Sequence, residues 1–215
     1  MNSFREGNAL SLRLATLQSY YSGEEFIWDI GCDHGLLGLS FAHIPAIRGI
    51  NLVDPSEIVI DVLKEKVKGA YIAKASINIL QKKGQDIEID SKSNCIFIAG
   101  MGGKEIADIV HKILPDLDSS SKIVISPHRK NLELRAILRV LPISLKREEV
   151  LFEDGQFYPI LELVPGEGPK VGLFGDAIWR GELGEKYRLH QIKFFSSHRD
   201  GASQDFVSYL KSLSP

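Results

Sequence analysis

Sulfur is scarce in this chain of 215 residues, with 2 cysteines and 2 methionines. Cys32 and Cys95 make no disulfide framework and no metal-ligand spacing. A reducing, cytoplasmic setting is therefore expected, and no metal. Charge of one sign is also lacking: 26 basic residues against 28 acidic leave a net charge of −2. That balance argues against a surface devoted as a whole to nucleic acid, while leaving room for a local patch. No apolar run approaches the roughly 20 residues of a membrane span. The stretch Met1-Asn2-Ser3-Phe4-Arg5-Glu6-Gly7 has no apolar core of the kind a leader peptide needs. What remains is ordinary globular composition, 44% apolar and 25% charged, enough for a sizeable core.

Leu10, Leu14, Leu17 and Tyr21 recur at helical spacing, with Arg13 on another face. Phe26 to Ile30 reads as a strand, Gly35 to His43 as a helix, and Gly49 to Val53 as a second strand closed by Asp54-Pro55. Ser56 is placed to cap a helix with Val59, Ile60, Leu63 and Val67 on its apolar face. Further strands are expected at 77–80, 95–99 and 122–126. Helices lined by Ile106, Ile109, Val110 and Ile113, and by Leu134, Ile137, Leu138 and Leu141, follow the last two. After Pro142 the pattern changes: 143–152 and 156–164 flank Glu153-Asp154-Gly155, and Asp-Gly is a strong hairpin signal.

Five strand–helix alternations predict a parallel sheet covered on both faces. An antiparallel hairpin added at the end matches the seven-stranded class I methyltransferase fold, a Rossmann-like α/β architecture. The simple dinucleotide fold has six parallel strands instead. Pro165-Gly166-Glu167-Gly168-Pro169 reads as a linker, so 1–164 form one domain with its N-terminal helix. Residues 165–215 form a short helical appendage, with one helix carrying Leu183, Tyr187, His190 and Phe194, then a break at Asp200-Gly201 and a last short helix.

Four segments carry chemistry. The first is Asp29-Ile30-Gly31-Cys32-Asp33-His34-Gly35, a glycine turn between strand and helix, whose free N–H groups and carboxylates face the strand's carboxyl end. Where a dinucleotide turn carries its middle glycine, this chain has Asp33, which repels a pyrophosphate and suits a cation. S-adenosylmethionine carries a sulfonium and an ammonium, and Asp29 is placed to meet the ammonium. The second is Asp54, 23 residues beyond Gly31, a carboxylate suited to ribose hydroxyls. The third is Ala99-Gly100-Met101-Gly102-Gly103, where missing side chains let a flat base lie close and Met101 packs against its face. The fourth is Ser126-Pro127-His128-Arg129-Lys130-Asn131, with Asn131 as a helix cap and the three cations free to hold phosphates. A basic stretch continues through Arg135, Arg139, Lys146 and Arg147, readable as a solvated helix face or as a stripe beside the cleft.

Four stretches occur in the same order in one family: Leu10 to Leu14, Asp29 to His34, Ile98 to Gly103, and the Glu153-Asp154-Gly155 turn. The chain resembles the bacterial tRNA (adenine-N1)-methyltransferases of the TrmK family, which act at adenine 22 of tRNA. The resemblance covers 8–164 and, less clearly, 170–195. It implies that Asp29, Gly31 and Asp54 bind S-adenosylmethionine, with Cys32, Gly100 and Met101 counted beside them. It also implies that Asp33 and His34 face the reacting centre. Gly100, Met101, Gly102 and Gly103 would form the acceptor side, and Arg13 stands at the cleft entrance. The chain departs from the family at Lys82-Lys83-Gly84-Gln85, where an Asp contacting the cofactor's adenine is usual, and Asp86 is the candidate substitute. Its tail is also shorter than the family's paired helices.

The expected activity is methyl transfer to N1 of an adenine in tRNA, with Asp33 stabilising the developing positive charge and His34 positioning the acceptor. Two other readings are a non-catalytic RNA- or protein-binding module with a decayed pocket and, on a related sheet, an NAD-dependent oxidoreductase. Oligomeric state is left open.

Overall fold

The computed structural model describes residues 10–68, 75–90 and 92–213; the N-terminal stretch read for a leader lies outside them. Seven strands form one sheet: β1 (Phe26–Ile30), β2 (Gly49–Asp54), β3 (Ser76–Gln81), β4 (Asn94–Ala99), β5 (Lys122–Ser126), β6 (Ile143–Glu153) and β7 (Gln156–Pro165). Their spatial order is β3-β2-β1-β4-β5-β7-β6, the first five parallel and β7 antiparallel to both β5 and β6. This is the sheet the alternation and hairpin predicted. β1, β4 and β5 lie inside it and are almost continuously apolar, as strands covered on both faces must be.

The helices are α1 (Leu12–Gln18), α2 (Leu36–Ser40), α3 (Glu57–Lys68), α4 (Gly103–Ile113), α5 (Asn131–Leu138), α6 (Gly181–Phe195) and α7 (Gly201–Ser212). One buried cluster joins Ile30, Ile98, Ile106, Ile109, Ile125 and Leu134 on one face of the sheet. A second joins Leu17, Leu37, Phe41, Leu52, Leu63 and Phe97 on the other. Among the described residues no helix is long and apolar enough to cross a membrane.

Three local expectations are corrected. α2 is shorter than the predicted 35–43: left-handed Gly35 caps its start and Phe41 caps its end after Ser40. Asn131 is not the cap of α5; left-handed Lys130 holds that position without a side-chain bond. Arg135 belongs to no surface stripe, being 1% exposed and bonded through Nη2 to Glu148 Oε2 at 2.6 Å. The other oxygen of Glu148 accepts the N–H groups of Asp176, Ala177 and Ile178, at the start of a 3-10 turn. This pair ties the segment after β7 to the sheet. A third cluster built on Ile178, Trp179, Tyr187, Phe206 and Leu210 packs against Val150 and Phe157 of the hairpin.

Candidate active site

A parallel sheet exposes the carboxyl ends of its strands on one edge, and ligands bind there, where the strand order reverses. In this sheet β1 and β4 flank the reversal. After β1 the backbone takes positive φ at Gly31 (71°), Asp33 (47°) and Gly35 (65°). The N–H groups of Gly31 and Cys32 both donate to the Val53 carbonyl, at 2.8 and 3.1 Å, which pins the turn to the end of β2. Glycine suits position 31 through its left-handed φ, and the Met101 methyl lies where a Cβ would stand. Met101 therefore packs on the first turn, so the two glycine segments are in direct contact.

Three carboxylates converge on this turn. Asp29 is buried and its Oδ2 accepts the Gly38 N–H at 2.8 Å. Burial, with a smaller contribution from Asp33 and Asp54, pushes its carboxyl up to about 6. Asp54 accepts the N–H groups of Asp33 at 3.3 Å and of Ser56 at 2.9 Å, so its side chain is fixed from both sides. The side chains of Asp33 and His34 are 72% and 70% exposed, with Nε2 and Oδ1 3.7 Å apart. Burial raises the Cys32 thiol far above its ordinary range, so it is present as an uncharged thiol.

The opposite wall comes from the loops after β4 and β5, which are laced together. His128 N–H donates to the Met101 carbonyl at 3.0 Å, and Gly103 N–H donates to the Arg129 carbonyl at 2.9 Å. Burial, then Arg13 and Arg129, lowers the His128 imidazole below its usual value, so it is neutral at pH 7. The cleft between the walls has a volume of about 760 Å³, within the range of small-molecule sites.

Asp29, Gly31, Cys32, Asp33, His34, Asp54, Gly100, Met101, Arg13 and His128 all line this cleft. Gly102, Gly103, Arg129 and Lys130 do not. Gly103 faces the Lys130 carbonyl and Leu134, where a Cβ has no room, so its missing side chain serves helix packing. The Arg129 side chain lies beside Gly102, and Lys130 pairs with Glu133 at 3.3 Å. After β3, Asp86 is exposed and outside the cleft, whereas the half-buried Gln85 lines it. Gly84 carries Gln85 inward by seating against Ile30 and Ile109. A neutral amide that both donates and accepts thus stands where a carboxylate was expected.

Tyr158 and Glu153 also line the cleft, and sequence reasoning assigned them no role. The available signal was period two along β7, which turns Tyr158 away from Phe157. Among the described residues no cluster of three or more His, Cys, Asp or Glu is placed to hold a metal ion.

The geometry has counterparts. Residues 10–161 match the family model described as a methyltransferase domain. A curated Bacillus subtilis (strain 168) protein, tRNA (adenine(22)-N(1))-methyltransferase, is 27% identical over 164 residues, covering 74% of this chain. The match spans 66% of that relative, just under two thirds of its length. Among solved structures, M. capricolum TrmK in complex with S-adenosyl-homocysteine superposes with a TM-score of 0.78 at 16% identity, covering 94% of this chain and 96% of that one. A Streptococcus pneumoniae candidate tRNA (m1A22) methyltransferase in complex with S-adenosyl-L-methionine gives 0.78 at 22%, covering 94% and 98%. At these identities the structural likeness speaks for the fold.

Proposed function

The chain belongs to the methyltransferase-domain family, and from that premise we propose that it methylates N1 of an adenine in tRNA, using S-adenosylmethionine. In this reading residues up to 164 are the catalytic domain of a cytoplasmic enzyme, and the helical segment beyond is its appendage. The observation that carries the reading is the cleft itself, which brings Asp29, Asp33 and Asp54 together with Gly100, Met101, Arg13 and His128 at the carboxyl ends of β1 and β4.

The residues fit the cofactor. A buried carboxylate with a raised pKa gains most from a cationic ligand, and Asp29 is such a group, suited to an ammonium. Asp54, already fixed by two backbone donors, keeps lone pairs for ribose hydroxyls. Gln85 suits the edge of an adenine. When bound, S-adenosylmethionine supplies an electrophilic methyl group on its sulfonium.

N1 of adenine has an in-plane lone pair and needs no prior deprotonation. The ring becomes cationic as the new bond forms, and Asp33, an exposed carboxylate lining the cleft, is suited to face it. At 72% exposure its field is screened by water until the acceptor covers it. His34 positions the acceptor at the cleft mouth. Much of the acceleration therefore lies in orientation, which the laced loops after β4 and β5 preorganise.

Calorimetric titration is the direct test of the cofactor assignment. S-adenosylmethionine binds and NAD does not; tight NAD binding would sink the reading. Asp33→Asn keeps the cofactor affinity and lowers turnover by about 100-fold or more. Unchanged turnover would remove Asp33 from the chemistry.

A further inference from the structure

The hairpin turn between β6 and β7 brings two side chains to the acceptor wall. Directly opposed residues share a face of a strand pair, so Glu153 and Tyr158 point one way while Phe152 and Phe157 point the other. The outward face is anchored, with the Phe157 ring 4.7 Å from Phe152, 5.2 Å from Tyr187 and 5.1 Å from His190. The inward face holds Arg13. The guanidinium carbon of Arg13 lies 4.7 Å from the centroid of the Tyr158 ring, and the backbone N–H of Arg13 donates to Glu153 Oε1 at 3.2 Å. The His128 ring approaches Tyr158 at 5.6 Å. Among the described residues Tyr158 OH reaches only Gln156 Oε1, at 3.5 Å, so ring contacts rather than the hydroxyl define its place.

The stacked guanidinium extends across the cleft. Arg13 Nη2 stands 3.6 Å from where a Cβ on Gly100 would be. Its Nε is buried and bonds to nothing among the described residues. A planar cation spans from the hairpin to the glycine turn and carries an unused donor. Arginine stacks through its delocalised plane, which a lysine cannot imitate. Unstacked RNA bases are received on such planes.

We propose that Tyr158 and Arg13 act as one unit, in which the tyrosine ring fixes the guanidinium plane beside Gly100 as the platform for an unstacked purine of the RNA acceptor. Tyr158 is then a positioning residue, acting through Arg13, and the inference rests on the methyl-transfer reading above. Without the ring the guanidinium regains its rotamers and the platform is lost.

The test is a double-mutant cycle in the full chain, with an unmodified tRNA transcript as acceptor. Tyr158→Ala and Arg13→Ala each raise the acceptor KM and the transcript Kd about tenfold, leaving S-adenosylmethionine affinity unmoved. The double variant is no worse than the worse single one. Tyr158→Phe recovers acceptor affinity, and Arg13→Lys does not. Additive losses, or a Tyr158→Phe as damaging as Tyr158→Ala, overturn the unit. Should the wild-type chain bind the transcript with this non-additive pattern yet transfer no methyl, the pair stands and the reaction assignment falls. Should it methylate with additive losses, the reverse holds; should it neither methylate nor bind, both fall.

Discussion

Asp29 concentrates the electrostatics of the cleft in one side chain. Its folded pKa of about 6 lies above the ordinary 3.8, so the folded state holds the proton more tightly than the unfolded chain. The associated stability is present below pH 4 and is lost as pH rises through about 6. Asp29→Asn therefore stabilises the ligand-free protein at pH 7, by up to ~3 kcal/mol, and by little at pH 4, as urea titrations at the two values will show. A cationic cofactor needs the ionised form, so its affinity falls about tenfold per pH unit below pH 6. Affinity independent of pH between 5 and 7 would exclude Asp29 from the cofactor contact. Gly31→Ala forces a side chain into a left-handed turn and against Met101, and should cost about 1–3 kcal/mol together with cofactor binding.

The parts of this arrangement differ in how far the sequence foretells them. Runs such as Cys95 to Ala99 and Ile123 to Ile125 are legible as buried strands, because burial on both faces demands uninterrupted apolar residues. The Asp-Gly turn likewise announces β6 and β7. Contacts between distant elements are less legible. Arg13 and Tyr158 are 145 residues apart, and neither sits in a motif that names the other. The role of Gly103 depends on α5 packing against α4, and Asn131 lost the cap position only because Lys130 adopts a left-handed backbone. At this scale Glu148 is the element-joining residue, with one oxygen on Arg135 and the other on three N–H groups. Glu148→Ala leaves a buried guanidinium without its counter-charge, held by the Gly172 carbonyl, and the start of the 3-10 turn without its acceptor. It should cost roughly 3–5 kcal/mol in denaturant melts and expose the 165–180 segment to protease. A loss below about 1 kcal/mol would mean that the third cluster alone docks the appendage.

As a whole the molecule is nearly neutral, at −2, and of its 26 basic side chains Arg13, Lys82 and Lys83 line the cleft. Affinity for tRNA should then depend only shallowly on salt, with a log–log slope on the order of −2 to −3. Arg129→Ala should reduce that slope by about one. A slope near −8 would call for a broad basic surface that this chain does not present. The sheet, the cleft and the appendage-anchored hairpin converge on one chemical event. Its most direct measurement is nucleoside mass spectrometry of an unmodified tRNA transcript incubated with the purified chain and isotopically labelled S-adenosylmethionine. Labelled 1-methyladenosine is the expected product, lost in Asp33→Asn. Label on another base or another adenine nitrogen, or cofactor binding with no label transferred, would contradict it.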